Sequence, residues 1–301
     1  MTTTATPTVF VAGPSGRLTE ERTPVATRLL AADSWLVQDG VARAVEGHRR
    51  RFAAACAEAG GPPAEQVDAF WDAALSRLPA TGEWFPRAEL VADGSGARLQ
   101  FRLRPAPART TSVQVWISGR SDQRTLPRRK GPDLDHLGEL RAAAIAAGAN
   151  EALLTTPSGL VLEGATANLL WWDGDALCAV DPTLRVLPGV TSAWVLKLAT
   201  DRGIPVRLRR AVPADLAGRE AWFTNALHGI RPVTAWVGSA IRPGAPRLAA
   251  AWQAEWLAAA TPLVGAAPLA AVPPPSGATP LSGATPPSGA APQPHLDHRS
   301  A

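Results

Sequence analysis

The chain of 301 residues contains no tyrosine, two cysteines and two lysines. Cys56 and Cys178 are too few for a disulfide framework, and such usage is typical of proteins in a reducing cytoplasm. No run of 18 or more apolar residues occurs, so a membrane span is not expected. The N-terminus shows no basic segment followed by an apolar stretch, so a secretory signal is not expected either. We therefore predict a cytoplasmic protein.

The scarcity of lysine makes the two that remain informative. Of 30 basic residues, 28 are arginine. A guanidinium stays protonated, so arginine cannot replace an amine that must lose its proton and attack a carbonyl. Lys197 lies four residues before Asp201 in a helical stretch and is interpreted as a structural ion pair. Lys130 follows Arg128 and Arg129, whose charges would lower the pKa of its amine. The alternative for Lys130 is a solvated lysine in a basic loop.

The overall composition is that of a globular protein, with 46% apolar and 19% charged residues. A net charge of +4 and a pI near 10 raise the question of nucleic-acid binding. The arginines are scattered along the chain and do not form a basic stripe with interleaved aromatic residues. We expect neither a nucleic-acid partner nor a membrane partner.

Periodicity and composition divide the chain into four segments. They are predicted to be a loosely ordered lead-in (1–27), an N-terminal α+β lobe (28–118), a β-rich C-terminal lobe (119–265) and a tail (266–301). The tail carries a six-residue repeat rich in Pro, Ser, Gly and Ala. With so few large apolar side chains it cannot offset its ordering entropy, so it is predicted to be disordered.

Local signals predict several elements within the two lobes. Asp39-Gly40 between apolar stretches predicts a β-hairpin turn. Helical spacing predicts helices over 48–58 and 64–78, another that opens near Val190, and a last one over 245–259. Pro246 suits the first turn of that last helix, because proline lacks the amide proton that a first turn leaves unpaired.

One residue and three short segments form a recognisable set of motifs: Lys130, Leu162–Asn168, Leu187–Thr191 and Thr224–Val233. In order and spacing they resemble the fold-type IV pyridoxal-phosphate enzymes, also called class IV aminotransferases. That family includes branched-chain and D-amino-acid aminotransferases and 4-amino-4-deoxychorismate lyase, and the last segment looks most like the lyase. The resemblance covers residues 33 to 240. It implies a two-lobed α+β fold with a smaller N-terminal α+β lobe and a larger, β-rich C-terminal lobe.

The resemblance also implies roles for individual residues. Lys130 would form a Schiff base with pyridoxal 5'-phosphate and later move the proton at the substrate Cα. Glu163 would pair with the pyridine nitrogen and keep it protonated, so that the ring withdraws electrons from Cα. The alternative for Glu163 is an exposed residue at a strand end. Asn168, in the same motif, would be a structural amide.

The phosphate of the cofactor needs hydrogen-bond donors and positive potential. Leu187–Thr191 is a tight turn that leads into a helix, whose free N–H groups and dipole favour anions. The resemblance assigns phosphate contacts to Val190 and Thr191, to Asn225 and Ala226 of a second loop, and to Arg51. The alternatives are a capped helix start for the turn and a solvated helix face for Arg51.

The sequence departs from the family pattern near the lysine. Members usually have a tyrosine a few residues further on, and here Asp135 or His136 stands in that neighbourhood. Ser34 falls where the lyase carries a hydroxyl. A dianionic lyase substrate would need cationic partners, for which the candidates are Arg87, Arg102, Arg104 and His228. We take Ser34, Arg87 and His228 as the candidate substrate contacts, although His228 can equally be a loop histidine with internal partners.

Three functional hypotheses follow. The first is 4-amino-4-deoxychorismate lyase, in which Lys130 removes the Cα proton and pyruvate is expelled to leave 4-aminobenzoate. The second is a branched-chain or D-amino-acid-type transaminase. The third is a non-catalytic member of the family that acts as a binding protein through its tail. The resemblance also implies a homodimer that acts on a small, amino-acid-like substrate and requires no metal.

Overall fold

A computed structural model describes residues 7–13, 16–21, 27–94 and 96–263. The helices are α1 (Val45–Glu58), α2 (Ala64–Leu75), α3 (Leu134–Ala146), α4 (Val190–Asp201), α5 (Ala249–Ala258) and a 3-10 turn (Pro213–Leu216). The strands of the first half are β1 (Thr8–Ala12), β2 (Leu18–Glu20), β3 (Arg28–Ser34), β4 (Val37–Gln38), β5 (Val41–Ala42), β6 (Glu83–Trp84), β7 (Arg87–Asp93), β8 (Gly96–Leu103) and β9 (Val113–Trp116). The remaining strands are β10 (Glu151–Thr155), β11 (Val161–Gly164), β12 (Asn168–Asp173), β13 (Ala176–Val180), β14 (Val206–Arg209), β15 (Ala221–Asn225), β16 (Gly229–Val237) and β17 (Thr261–Pro262).

The first half of the chain builds an antiparallel sheet in the order β2-β1-β8-β7-β3. Helix α1 buries His48, Phe52 and Cys56, which recur every four residues and so lie on one helical face. That face packs into a core that also contains Trp35 and Phe101. The core fixes the end of β3 beside the start of α1, and this junction later supplies part of the site.

The prediction of a loosely ordered lead-in over 1–27 is wrong for β1 and β2. Phe10 in β1 and Leu18 in β2 are buried in the N-terminal core. Strand β1 pairs with β8, which places Phe10 opposite Phe101. Burial of these apolar side chains offsets the entropy of ordering the segment.

The second half builds a mixed sheet in the order β11-β10-β9-β16-β15-β12-β13-β14. Its apolar residues form separate clusters, one of which includes Leu153, Trp171 and Phe223. Strands β15 and β16 form a hairpin in which Asn225 lies opposite Gly229. The division into lobes 28–118 and 119–265 stays a prediction, although the two sheets have distinct cores.

One predicted boundary in this half is wrong. Helix α5 begins at Ala249, so Pro246 lies before it and not in its first turn. The carboxylate of Glu220, which directly precedes β15, accepts hydrogen bonds from the amides of Arg247, Leu248 and Ala249 and thereby caps the helix.

Two further predictions concern the C-terminal tail and membrane spans. The predicted disordered tail, 266–301, lies outside them. Within the described ranges no helix is both long enough and apolar enough to cross a bilayer.

Candidate active site

One cavity of about 420 Å³ collects the residues that the sequence predicts for the site. The predicted residues that line it are Ser34, Arg51, Arg87, Lys130, Glu163, Val190, Thr191, Asn225, Ala226 and His228. They come from the end of β3, from α1, from the start of β7, from the loop before α3, from β11, from the start of α4 and from the β15–β16 hairpin. Widely separated motifs therefore meet in one place.

Lys130 is anchored by its backbone against β3. The amide of Ala32 donates a hydrogen bond to the Lys130 carbonyl, at 2.7 Å. A side chain at Gly131 would approach the Ala31 backbone to 2.9 Å, and Gly131 also has a φ of +137°, so glycine suits this position. Burial, reinforced by the charge of Arg51, lowers the pKa of the Lys130 amine to about 8, while Asp33 partly offsets the shift. An appreciable fraction of the amine is therefore neutral near physiological pH.

Arg51 is held by a buried carboxylate beside the lysine. Its Nε and Nη2 donate to the two oxygens of Asp33, at 2.7 and 2.9 Å. His48 Nδ1 lies 2.7 Å from the same carboxylate, and Ser34 N donates to it at 2.8 Å. Burial alone would raise the pKa of Asp33, but the charges and hydrogen bonds of Arg51 and His48 hold it well below its usual range. Arg51 Nη1 also donates to the Pro188 carbonyl, at 3.1 Å, which brings the guanidinium to the predicted phosphate loop.

Glu163 lies in a second buried network. Its oxygens accept hydrogen bonds from Arg124 Nη1 at 2.7 Å, from the Leu187 amide at 2.8 Å and from Asn168 Nδ2 at 2.9 Å. Burial raises the pKa of Glu163 to about 7 against the opposing charge of Arg124. Arg124 also binds Asp122, so its charge is divided between two acids. Glu163 is thus no exposed strand-end residue but a buried acid that can hold or release a proton near neutrality.

The start of α4 provides donors without partners. Val190 and Thr191 are its first two residues, where amides have no acceptor in the preceding turn. The hydroxyls of Thr191 and Thr224 are buried and have no hydrogen-bond partner among the described residues. A side chain at position 189 would overlap Asn168, so Gly189 lets the turn approach the Glu163 network. These donors, together with Arg51, suit an anionic group such as a phosphate.

The candidate substrate contacts differ in how fully they are engaged. Arg87 binds Glu89, which Arg102 also binds at 2.7 Å, and Arg102 does not line the cavity. Arg104 donates to Ser34 Oγ, at 3.2 Å, and lines the cavity. The expectation of Arg102 as a cationic partner is therefore wrong, since Arg102 lies outside the cavity lining, whereas Arg87 lines the cavity although it shares Glu89.

The neighbourhood of the missing tyrosine also differs from expectation. Asp135 and His136 do not line the cavity, because α3 begins at Leu134 and turns them away. Leu134 and Leu137 line it instead. The position that a phenol would serve is thus bordered by apolar side chains.

Sequence reasoning missed several residues of the cavity wall, among them Arg124, Thr224, Arg231 and Arg141. Arg124 belongs to a polar segment with no motif, and only the fold brings it to Glu163. Thr224 and Arg231 lie inside a recognised motif but received no role. Alternation along β16 was a usable signal for Arg231, because residues two apart share a face and Val233 is buried.

The chain that carries the Lys130 amine, the buried Glu163 acid and the donors around Arg51 is similar to known proteins. The family model for amino-transferase class IV matches residues 30–236. The chain belongs to this family of pyridoxal-phosphate-dependent enzymes, and it is an enzyme. The resemblance stated from the motifs is confirmed, and so is the fold class.

Particular relatives refine this placement. The chain is 32% identical over 85 residues to aminodeoxychorismate lyase of Bacillus subtilis (strain 168), a match that spans 28% of this chain and 29% of that relative. Among solved structures, a fold IV transaminase from Curtobacterium pusillum aligns with a TM-score of 0.70 and 19% identity, over 84% of this chain and 99% of that one. The Escherichia coli branched-chain amino acid aminotransferase aligns with a TM-score of 0.71 and 16% identity, over 83% and 93%. These two likenesses concern the fold.

Proposed function

We propose that this chain binds pyridoxal 5'-phosphate through Lys130 and acts as a 4-amino-4-deoxychorismate lyase. The observation that carries the proposal is the pairing, in one cavity, of an amine with a pKa of about 8 and a buried acid with a pKa of about 7. When bound, the cofactor supplies an electron sink that acidifies the substrate carbon bearing the amino group.

The residues around the cavity fit the three parts of the cofactor. The Lys130 amine suits the aldehyde carbon, and the Glu163 carboxyl suits the pyridine nitrogen. The unpartnered hydroxyls of Thr191 and Thr224, with Arg51, suit the phosphate. The amides of Val190, Asn225 and Ala226 complete that corner by resemblance to the family.

In the proposed reaction, Lys130 removes the proton from the substrate carbon that bears the amino group. The C–O bond to the enolpyruvyl substituent breaks, and its oxygen keeps the electron pair. Enolpyruvate takes up a proton and leaves as pyruvate, while the ring becomes 4-aminobenzoate. Glu163 would accept a hydrogen bond from the pyridine nitrogen and keep that nitrogen protonated, which favours the electron withdrawal that this step needs.

The charges of the cavity favour the lyase over the transaminase. Arg87, Arg104, Arg141 and Arg231 line the cavity. The lyase substrate carries two carboxylates, which such a lining suits. A branched-chain amino acid carries one carboxylate and an apolar side chain, for which arginines are poor neighbours.

The first experiment tests the cofactor. Purified protein that is mixed with pyridoxal phosphate and then freed of unbound cofactor by gel filtration should retain an absorbance band in the near-visible range, and Lys130→Ala should abolish the retained band. Lys197→Ala is the matched control and should keep the band, because Lys197 pairs with Asp201 on the surface. A wild-type protein without a band would overturn the proposal.

The second experiment separates the two reactions. Aminodeoxychorismate supplied alone should yield pyruvate if the chain is a lyase. Turnover that requires a 2-oxo acid as amino acceptor would support a transaminase instead. Release of pyruvate can be followed with a coupled dehydrogenase.

We also propose that the enzyme is a cytoplasmic homodimer, as the family resemblance implies. Light scattering on the cofactor-loaded protein tests the dimer. A mass of about one chain at micromolar concentration would contradict it.

A further inference from the structure

The wall of the cavity formed by the β15–β16 hairpin carries a positive charge, Arg231, that forms no ion pair with a carboxylate of the described residues. Arg231 has 4% of its surface exposed. Among the described residues no carboxylate lies within 4.0 Å of its guanidinium, and its Nε has no hydrogen-bond partner. Its Nη1 donates to Thr110 Oγ1, at 3.1 Å, which is a neutral acceptor. Buried charges are normally paired, so this guanidinium lacks an anion.

The nearest acid does not supply that anion. Glu151 contributes an attractive charge to Arg231, but its own oxygens accept from the Thr166 hydroxyl and amide and from the Ala152 amide. Burial raises the pKa of Glu151, which weakens its negative charge further. Burial lowers the pKa of Arg231 to about 10, and at neutral pH the guanidinium is still charged. The wall therefore stays positive.

His228 adds a neutral donor to the same wall. The Thr110 amide donates to His228 Nδ1, at 3.2 Å, so in the neutral ring the proton resides on Nε2. Burial and the charge of Arg231 lower the pKa of His228 to about 3, which keeps the ring neutral. The loop is rigid, because Asn225 Oδ1 accepts from the His228 amide at 2.8 Å and Gln253 Nε2 donates to the His228 carbonyl at 3.0 Å.

We infer that Arg231 and His228 form a subsite for a substrate carboxylate, assisted by Arg141, which lines the same cavity from α3. The inference rests on the proposed function and assigns specificity-determining residues to it. A carboxylate here would accept hydrogen bonds from Arg231 and from His228 Nε2 and would remove the unpaired charge. The substrate class is a cyclic or aromatic amine whose carboxylate is remote from the amino group.

The test compares two probes that differ only in charge, 4-aminobenzoate and 4-aminobenzamide. Titration calorimetry on the cofactor-loaded wild-type protein should give at least about 10-fold tighter binding of the acid. Arg231→Gln should weaken the acid by about 10- to 100-fold and leave the amide within about two-fold. His228→Leu should weaken the acid less, by about three- to ten-fold. Arg242→Gln, an exposed arginine outside the cavity lining, is the matched control and should change neither.

Equal binding of acid and amide by the wild type would overturn the subsite, and that result needs no variant to fold. Equal weakening of both probes by Arg231→Gln would overturn it too, because it would indicate damage to the cavity. Binding is measured separately from the absorbance band and from turnover. A protein that shows the band but does not distinguish the probes refutes only the subsite, whereas one without the band refutes the proposed function.

Discussion

Asp33 and Glu163 are both buried carboxylates beside the cavity, with 0% and 3% of their surface exposed, and each contacts an arginine at 2.7 Å. Their pKa values nevertheless move in opposite directions, far down for Asp33 and up to about 7 for Glu163. Arg51 binds no other carboxylate among the described residues, and His48 reinforces it. Arg124 divides its charge between Glu163 and Asp122, and Asp122 also repels Glu163. Because Arg124 is shared with Asp122, Glu163 can titrate near neutrality. Because Arg51 serves Asp33 alone among the described carboxylates, Asp33 stays an anion.

The comparison suggests different tasks for the two networks. Asp33 holds Arg51 at the loop before α4 and so prepares the corner that we assign to the phosphate. The raised pKa of Glu163 suits the partner of a pyridine nitrogen, the role that we propose for it. The Asp33 network fixes the position of Arg51, and the Glu163 network sets the protonation state of Glu163.

The largest effect should come from breaking the Asp33 network. Asp33→Asn leaves Arg51, whose side chain is 13% exposed, without its fully buried anion, which should lower the free energy of unfolding by about 3 kcal/mol. Denaturant unfolding of the cofactor-free protein measures this. Asp201→Asn, which removes the exposed partner of Lys197, should cost at most about 0.5 kcal/mol. Similar losses for the two variants would contradict the assigned difference between a buried and an exposed pair.

The next effect concerns the pH dependence of Glu163. Because its pKa is about 7 in the folded chain and 4.5 in an ordinary environment, the folded state holds this proton more tightly. The resulting stability is complete below pH 4.5 and is lost as pH rises towards 7, by about 3 kcal/mol in total. We expect the unfolding free energy of the cofactor-free wild type to fall, relative to that of Glu163→Gln, as the pH rises from 5 to 8. A constant difference across the range would disprove the raised pKa. Asp33, whose pKa is lowered, has the opposite sign and loses its contribution only below about pH 4.

A smaller change should follow from Asp122→Asn. Without Asp122 the charge of Arg124 serves Glu163 alone and the repulsion disappears, so the pKa of Glu163 should fall. The pH-dependent contribution of Glu163 to the unfolding free energy should therefore shrink by about 1 kcal/mol. The readout is the slope of unfolding free energy against pH in Asp122→Asn compared with wild type, which does not depend on the absolute stability of the variant. An unchanged slope would contradict the role given to the shared cation.

The sequence predicted one of these networks better than the other. Lys130 and Glu163 could be identified because each belongs to a recognisable motif. The family role of each residue requires a side chain that is buried and can be neutral. Arg124 and Asp122 could not be identified, since their contact with Glu163 joins segments that only the tertiary fold brings together. Asp33 received no role from the sequence, because nothing local indicates that the next helix would direct His48 and Arg51 onto it.

The fold shows the same limit. Strand alternation and helical spacing predicted most elements, and the turn at Asp39-Gly40 joins β4 and β5 as expected. Strands β1 and β2 were missed because neither has a strong local pattern: β1 pairs with the distant β8, and β2 pairs with β1. The start of α5 was misplaced because its cap, Glu220, belongs to another part of the chain.

The smallest effect concerns Lys130, whose amine feels both Arg51 and Asp33 of the Asp33 network. Competitive acetylation of the cofactor-free protein, read by mass spectrometry, should give half-maximal reactivity of Lys130 near pH 8, with Lys197 as the internal reference for the reagent. Asp33→Asn removes a negative charge that offsets Arg51, so the midpoint for Lys130 should move down by less than about one pH unit. Asp201→Asn should leave that midpoint in place. An upward movement in Asp33→Asn would mean that Arg51 follows Asp33 away from the lysine, and the anchoring role of this carboxylate would then be wrong.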